Sequence, residues 1–216
     1  MSAGPTEVMC RRQTVTILFV DIVGFTTLVD ELDCADVHDL QREYFAAVSA
    51  VLRAAGGIVE KFIGDAVMAV FGTAGPDAGT PPEVANAAAA AARAGLLVQE
   101  ALRGRLLAGR HPIKTRVGLA TGDAMVDPAA QDGGYGMVSG SVVATASRLQ
   151  AYAPHDTVVV CAATQQASAE AVAYQELPPV SVHGKRAPVE LWRALHPRAA
   201  TFRDDVVTQR ALHPCR

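Results

Sequence analysis

Basic residues hold no excess in this sequence. Nineteen lysines and arginines are dispersed among 22 acidic residues, for a formal net charge of −3. The clustered positive surface that a nucleic-acid backbone requires is missing, and nucleic acid is excluded as a partner. Cys10, Cys34, Cys161 and Cys215 lie far apart with no C-x-x-C pair, which argues against a thiolate zinc site and a secreted disulfide scaffold and leads us to expect a reducing cytoplasm. No apolar run reaches the roughly 20 residues a spanning helix needs, and "MSAGPTEVMCRRQ" has no apolar signal-peptide core. The sequence has no G-x-x-x-x-G-K-[ST] loop, so a P-loop NTPase is set aside, and six scattered histidines without H-E-x-x-H spacing read as surface or core residues. Internal repeats are absent too, and the alanine-rich stretch 87–92 reads as helix rather than linker.

What is present is a 50% hydrophobic share in 216 residues, enough for one substantial core with few aromatics. "TVTILFVDI" (14–22) is a β-branched run that predicts a strand buried on both faces and ending in a carboxylate. Apolar residues at helical spacing follow, including Val37, Leu40, Tyr44, Val48, Val51 and Leu52, until Gly56-Gly57 supplies a stop. "IVEKFIGDAVMAVFG" reads as two strands joined at Gly64-Asp65, which places Asp65 at a hairpin tip. The Gly- and Pro-rich segment 72–82 leads into a helix over 83–107 whose alanine face permits close packing on a sheet. Residues 113–126 read as a strand pair, 137–153 contain a short helix, and 157–161, 178–182 and 187–195 read as strands, the last two joined by a turn at His183-Gly184-Lys185. Hairpins alternating with helices predict an α/β (α+β) domain with a mostly antiparallel sheet and helices packed on it, ferredoxin-like in arrangement.

Lys61 and Asp65 stand at a glycine turn inside an otherwise apolar run, where folding alone has little use for charge. Asp21 ends a buried strand, and the residues after it enter a helix whose first amides lack intrahelical partners. A carboxylate beside such an anion-accepting terminus suits Mg²⁺, which takes one or two carboxylates plus substrate phosphates. Asp65 would supply a second carboxylate if its hairpin pairs beside the Asp21 strand. Taken singly, a strand-end aspartate is more often a cap or turn former than a ligand.

As a set, "TVTILFVDIVGFTTLVDEL", "GGIVEKFIGDAVMAVFG", "RVGLATGDAMV", "GSVVATASRLQAYA" and "VSVHGKRAPVELWRAL" resemble, in order, the catalytic domain of class III nucleotidyl cyclases. The resemblance covers about residues 13–195, leaving 1–12 as an N-terminal segment and 196–216 as a tail. It implies an adenylyl cyclase converting ATP to 3′,5′-cyclic AMP and pyrophosphate in a homodimer. Two Mg²⁺ or Mn²⁺ ions would be held by Asp21, Asp65 and the Ile22 carbonyl. Gly24, Phe25 and Thr26 match the phosphate-holding turn, Lys61 the residue that reads adenine, and Arg148 the arginine that neutralises charge on the α-phosphate. Lys185 matches a phosphate-binding lysine, although an exposed basic turn explains it equally well.

Two positions depart from the family pattern. Ala144 stands where an asparagine usually orients the ribose, and Met137 stands at the second base-reading position, usually Asp or Thr. Alanine offers no side-chain hydrogen bond to the ribose, so low activity is expected; methionine cannot accept from the adenine amino group as a carboxylate does, so this position does not fix the base selectivity. A degenerate cyclase domain acting as a nucleotide-binding or regulatory module is the competing expectation.

Overall fold

The run after Gln13 forms the central strand, β1 (Arg11–Ile22), and the structure, a computed structural model, describes residues 10–73, 75, 77–127, 137–180 and 188–199. Alternate β1 side chains enter opposite layers, as the two-residue strand period requires. Leu18, Val20 and Ile22 pack with one layer of helices, while Val15, Ile17 and Phe19 pack with another. Burial on both faces explains the continuous apolar stretch, and each such side chain stabilises the fold by about 1.5–3 kcal/mol.

Two helices follow, α1 (Phe25–Glu31) and α2 (Cys34–Ala54), the second capped by Asp33, whose carboxylate accepts from the amides of Ala35 and Asp36 at 2.9 Å. The buried stripe of α2 is Leu40, Tyr44, Val48, Ser49 and Leu52. The hairpin β2 (Ile58–Ile63) and β3 (Ala66–Phe71) turns at Gly64-Asp65, where Gly64 takes a φ of 64°, a left-handed conformation that glycine adopts without a Cβ clash. Helix α3 (Pro81–Leu102) then lies on the sheet, with Ala88, Ala91, Ala92, Ala94 and Gly95 all small and buried and Gly95 set against Val117 and Val158.

The helix expected to reach residue 107 ends at Leu102 because Arg103 leaves helical geometry, with φ −60° and ψ 118°. Residues Leu106–Leu107 (β4) instead pair with His111–Pro112 (β5) in a small separate ribbon. The strand pair expected over 113–126 is one strand, β6 (Thr115–Val126), matched to β1 without interruption from Ile22↔Thr115 to Arg11↔Val126. A turn at Gly122-Asp123 would have broken that ladder. Downstream come β7 (Val138–Ser139), α4 (Ser141–Tyr152), β8 (Thr157–Cys161), α5 (Ala162–Ser168), β9 (Val172–Val180) and β10 (Val189–Pro197). Strand β9 begins six residues before the expected 178, and as the last strand of the sheet it tolerates Pro178 and Pro179. The expected His183-Gly184-Lys185 turn lies outside the described residues.

The sheet order is β2-β3-β1-β6-β8-β10-β9, with β7 on β6; every pair is antiparallel except β6–β8. In β1, β2, β3 and β6 the order is that of a ferredoxin-like unit, with α2 and α3 on one face and α4 on the other. Helix α4 approaches β6 so closely at Gly118 that an added Cβ would overlap the backbone of Ala146 and Gln150. That approach positions α4 over the end of β1.

Candidate active site

Asp21 is the next-to-last residue of β1 and shares the parity of Val15, Ile17 and Phe19, so its carboxylate faces the α4 layer. Strand β3 runs antiparallel to β1 from Thr16↔Phe71 to Val20↔Val67, which brings the Gly64-Asp65 turn beside the end of β1. The amide of Ile22 donates to Asp65 Oδ2 at 3.0 Å, and the Asp21 and Asp65 carboxyl groups are hydrogen-bonded to each other. The two carboxylates picked out in the sequence therefore meet.

Burial is the largest cause that pushes the Asp21 carboxyl from its ordinary 3.8 up to about 7, and the hydrogen bond and charge of Asp65 add to it. Two groups oppose the shift: Gln150 of α4 donates Nε2 to Asp21 Oδ2 at 2.8 Å, and Arg116 contributes positive charge. Arg116 stands directly across from Asp21 in the β1–β6 register and donates Nη1 to the Ala151 carbonyl at 2.9 Å. Its Nε is buried with no hydrogen-bond partner among the described residues. Tyr44 of α2 is fully buried near both carboxylates; burial first, then the charges of Asp21 and Asp65, hold its hydroxyl pKa well above the usual value. That hydroxyl also lacks a partner among the described residues.

Gln150 and Arg116 are not singled out in the sequence, and Tyr44 stands there only as part of the apolar stripe of α2. Each is a polar group inside an apolar pattern, which is a signal, but only the strand register and the α4 contact give it a target.

The chemistry of this donor set fits a hard divalent cation. The partly buried Asp21 carboxyl lies against that of Asp65 at a strand end, beside the backbone carbonyl of Ile22; a cation there would relieve the repulsion that helps to raise the Asp21 pKa. Among the described residues no group of three or more His, Cys, Asp or Glu side chains could hold a metal, so further oxygen ligands would come from substrate and water. Ile22 and Gly24 also line a cavity of about 700 Å³, with Val23, Thr27 and Lys114; neither Asp21 nor Asp65 lines it. Phe25 and Thr26 open α1 directly after Gly24.

The remaining candidates point elsewhere. Arg148 is half-buried on α4, two residues from Gln150 and therefore about 200° around the helix at 3.6 residues per turn. Ala144, one turn earlier, is exposed on the Arg148 side. Since Gln150 occupies the face turned to Asp21, Arg148 and Asp21 of one chain do not converge. Lys61 lies on β2, opposite Met68 in the β2–β3 register and away from the turn that carries Asp65. Its ammonium is 3.3 Å from Glu60 Oε1. Met137 is buried among Val138, Val142 and the other apolar residues beneath α4. Lys185 lies outside the described residues.

Comparison with known proteins gives a consistent picture. The family model described as the adenylate and guanylate cyclase catalytic domain matches residues 7–194. An uncharacterized protein of Rhizobium meliloti is 32% identical over 85% of the chain, and the terminal-differentiation specific adenylate cyclase of Dictyostelium discoideum is 28% identical over 74%. The aligned segments are 17% and 6% of those relatives' own lengths. Among solved structures, the adenylyl cyclase CyaB from P. aeruginosa superposes with a TM-score of 0.75 at 24% identity, covering 88% of this chain and 97% of that one.

Proposed function

The chain belongs to the adenylate and guanylate cyclase catalytic domain family, and on that premise we propose that it converts ATP to 3′,5′-cyclic AMP and pyrophosphate at sites formed between two copies of itself. In this reaction the ribose 3′-oxygen forms a bond to the α-phosphorus, the bond to pyrophosphate breaks, and the 3′-hydroxyl proton is lost. The observation that carries the reading is the Asp21–Asp65 pair, two carboxylates brought together at adjacent strand ends against the cost of burial and mutual repulsion.

When two divalent cations, Mg²⁺ or Mn²⁺, are held by Asp21, Asp65 and the Ile22 carbonyl, they supply activation of the 3′-hydroxyl and charge neutralisation of the triphosphate. Gln150 orients one oxygen of Asp21, and the Ile22 amide orients one oxygen of Asp65. Gly24, Phe25 and Thr26 offer backbone amides to phosphate oxygens, with Lys185 as a further phosphate partner. Arg116 adds positive charge on the strand beside Asp21. Arg148 neutralises the charge that develops on the α-phosphate, a role in which one donor can contribute about 10²–10³ in rate. Because Arg148 faces away from its own Asp21, a second copy supplies it, and the two sites are equivalent across a twofold axis.

The test is cyclic nucleotide formation by the purified chain with Mn²⁺ and each of ATP, GTP, CTP and UTP. Cyclic AMP formed in preference to the other products supports the reading; a dimer that forms no cyclic nucleotide supports a nucleotide-binding or regulatory role, which Ala144 favours. In the same assay Ala144→Asn is expected to raise turnover by up to about 10²-fold, because asparagine at this position would restore a contact that orients the ribose. Unchanged turnover would mean that the ribose is held by other groups.

Metal binding carries its own pH signature. Raising the Asp21 pKa from 3.8 to about 7 means that the folded chain without metal favours the protonated carboxyl; its contribution to stability is present below the lower value and lost as pH rises through the upper one. A cation replaces the proton only where the proton has left. Mn²⁺ is therefore expected to raise the melting temperature strongly at about pH 8, with a gain of about 2.7 kcal/mol at a concentration a hundredfold above its Kd, and only weakly at about pH 5.5. Differential scanning fluorimetry at both pH values measures this, and an equal shift at both would remove Asp21 as a ligand.

A further inference from the structure

Glu60 is a carboxylate the reaction does not use, and its setting is unusual. In a regular strand the side chains of neighbours 60 and 61 would point to opposite faces of the sheet. The β2–β3 register slips here: Val59 pairs with Ala69 and Lys61 with Met68, which leaves Glu60 as the extra residue of a bulge. The bulge allows the two head groups to meet, with Lys61 Nζ 3.3 Å from Glu60 Oε1. The same oxygen accepts from the amide of Val138 at 3.3 Å. The Glu60 side chain is only 3% exposed, against 38% for Lys61, and its Oε2 has no hydrogen-bond partner among the described residues. A hydrogen bond to Val138 alone needs no charge, and a buried carboxylate with one oxygen unpaired is an expensive way to make it.

We infer that Glu60 is a positioning residue for base recognition: it fixes the Lys61 ammonium against the strand that follows Met137, and so sets the preference of the site for adenine over guanine nucleotides. This rests on the reading of Lys61 as the base-contacting group. At ring position 1 adenine presents an acceptor and guanine an N–H donor; at position 6 the order reverses, adenine presenting an amino donor and guanine a carbonyl acceptor. An ammonium has donors alone, so one free to swing can serve either base, whereas one held toward position 1 selects adenine. Met137 contributes no strong hydrogen-bonding group, and discrimination falls to the placement of a single side chain.

The experiment is equilibrium binding of the α-thio analogues of ATP and GTP, with Mn²⁺, to the dimeric chain, its Glu60→Gln and Lys61→Met variants, and the double variant. Glutamine keeps an acceptor for Val138 and removes the charge that holds Lys61. Glu60→Gln is expected to lower the ratio of ATP- to GTP-analogue affinity by on the order of 10-fold, chiefly by improving GTP-analogue binding, and to have no further effect once Lys61 is methionine. Glu60→Asp, which keeps the charge but withdraws it, is expected to give an intermediate ratio, so the inference does not depend on one variant folding. A purely structural role would weaken both analogues together and leave the ratio fixed, and that outcome overturns the inference. So does a Glu60→Gln effect of equal size with and without Lys61. If Lys61→Met leaves the ratio unchanged, or the unsubstituted dimer binds neither analogue, the base-reading role of Lys61 falls and this inference with it.

Discussion

Replacing Asp21 by asparagine is expected to reduce cyclic nucleotide formation by on the order of 10³-fold or more while making the metal-free chain more resistant to heat at about pH 8. The two effects have one cause. At that pH the folded chain holds Asp21 above its raised pKa of about 7, charged and facing Asp65, whereas in the unfolded chain it ionises freely from 3.8 upward. Folding therefore opposes the charge that metal binding uses. Asparagine keeps an oxygen for the Gln150 amide and offers Asp65 an N–H where the charged Asp21 offers only repulsion. The site is only partly buried, and solvent screening limits the gain to on the order of 1 kcal/mol, or about 2–4 °C for a chain of this size. Activity and melting temperature moving in opposite directions is the signature of a functional carboxylate. A variant that loses both would mark Asp21 as structural, and one that keeps its activity would remove it from the reaction.

The parts of this arrangement that were legible in the sequence are those where a local pattern carries the information. The strand around 14–22, the stripe on α2 and the hairpin at Gly64-Asp65 follow from side-chain period and turn chemistry, and Asp21 and Asp65 stand out because each interrupts an apolar run. Their meeting depends on a register between β1 and β3 that no local pattern specifies, although the family resemblance implied it. Residues 113–126 read as a strand pair in the sequence, but pairing along the full length of β1 makes them the single long β6. The roles of Gln150, Arg116 and Tyr44 were illegible for a related reason: they come from the close approach of α4 at Gly118 and from cross-strand neighbours distant in sequence. Glu60 was hidden by a bulge, which is visible only once β2 is paired.

The orientation of α4 leads to the second large effect. Arg148→Ala alone is expected to lower cyclic nucleotide formation by on the order of 10²–10³-fold, comparable to the loss of one donor from a preorganised charge-stabilising site. If each site takes its carboxylates from one chain and its arginine from the other, the defects of Asp21→Asn and Arg148→Ala are separable. A mixed dimer places both defects in one site and leaves the other intact. Random reassociation of equal amounts makes half of the dimers mixed, each with one working site of two, so the mixture is expected to recover about a quarter of the unsubstituted activity. If instead one chain supplied both residues, every site would carry one defect, and mixing would recover nothing. Denaturing the two variants together, refolding them and assaying cyclic AMP against each variant refolded alone distinguishes the cases. The helix makes the prediction specific: on α4, Gln150 reaches the Asp21 of its own chain, while Arg148, about 200° away at 3.6 residues per turn, faces away from it. Recovery near a quarter would thus fix the division of labour along a single helix, one face ordering the carboxylate at home and the opposite face serving the partner's phosphate.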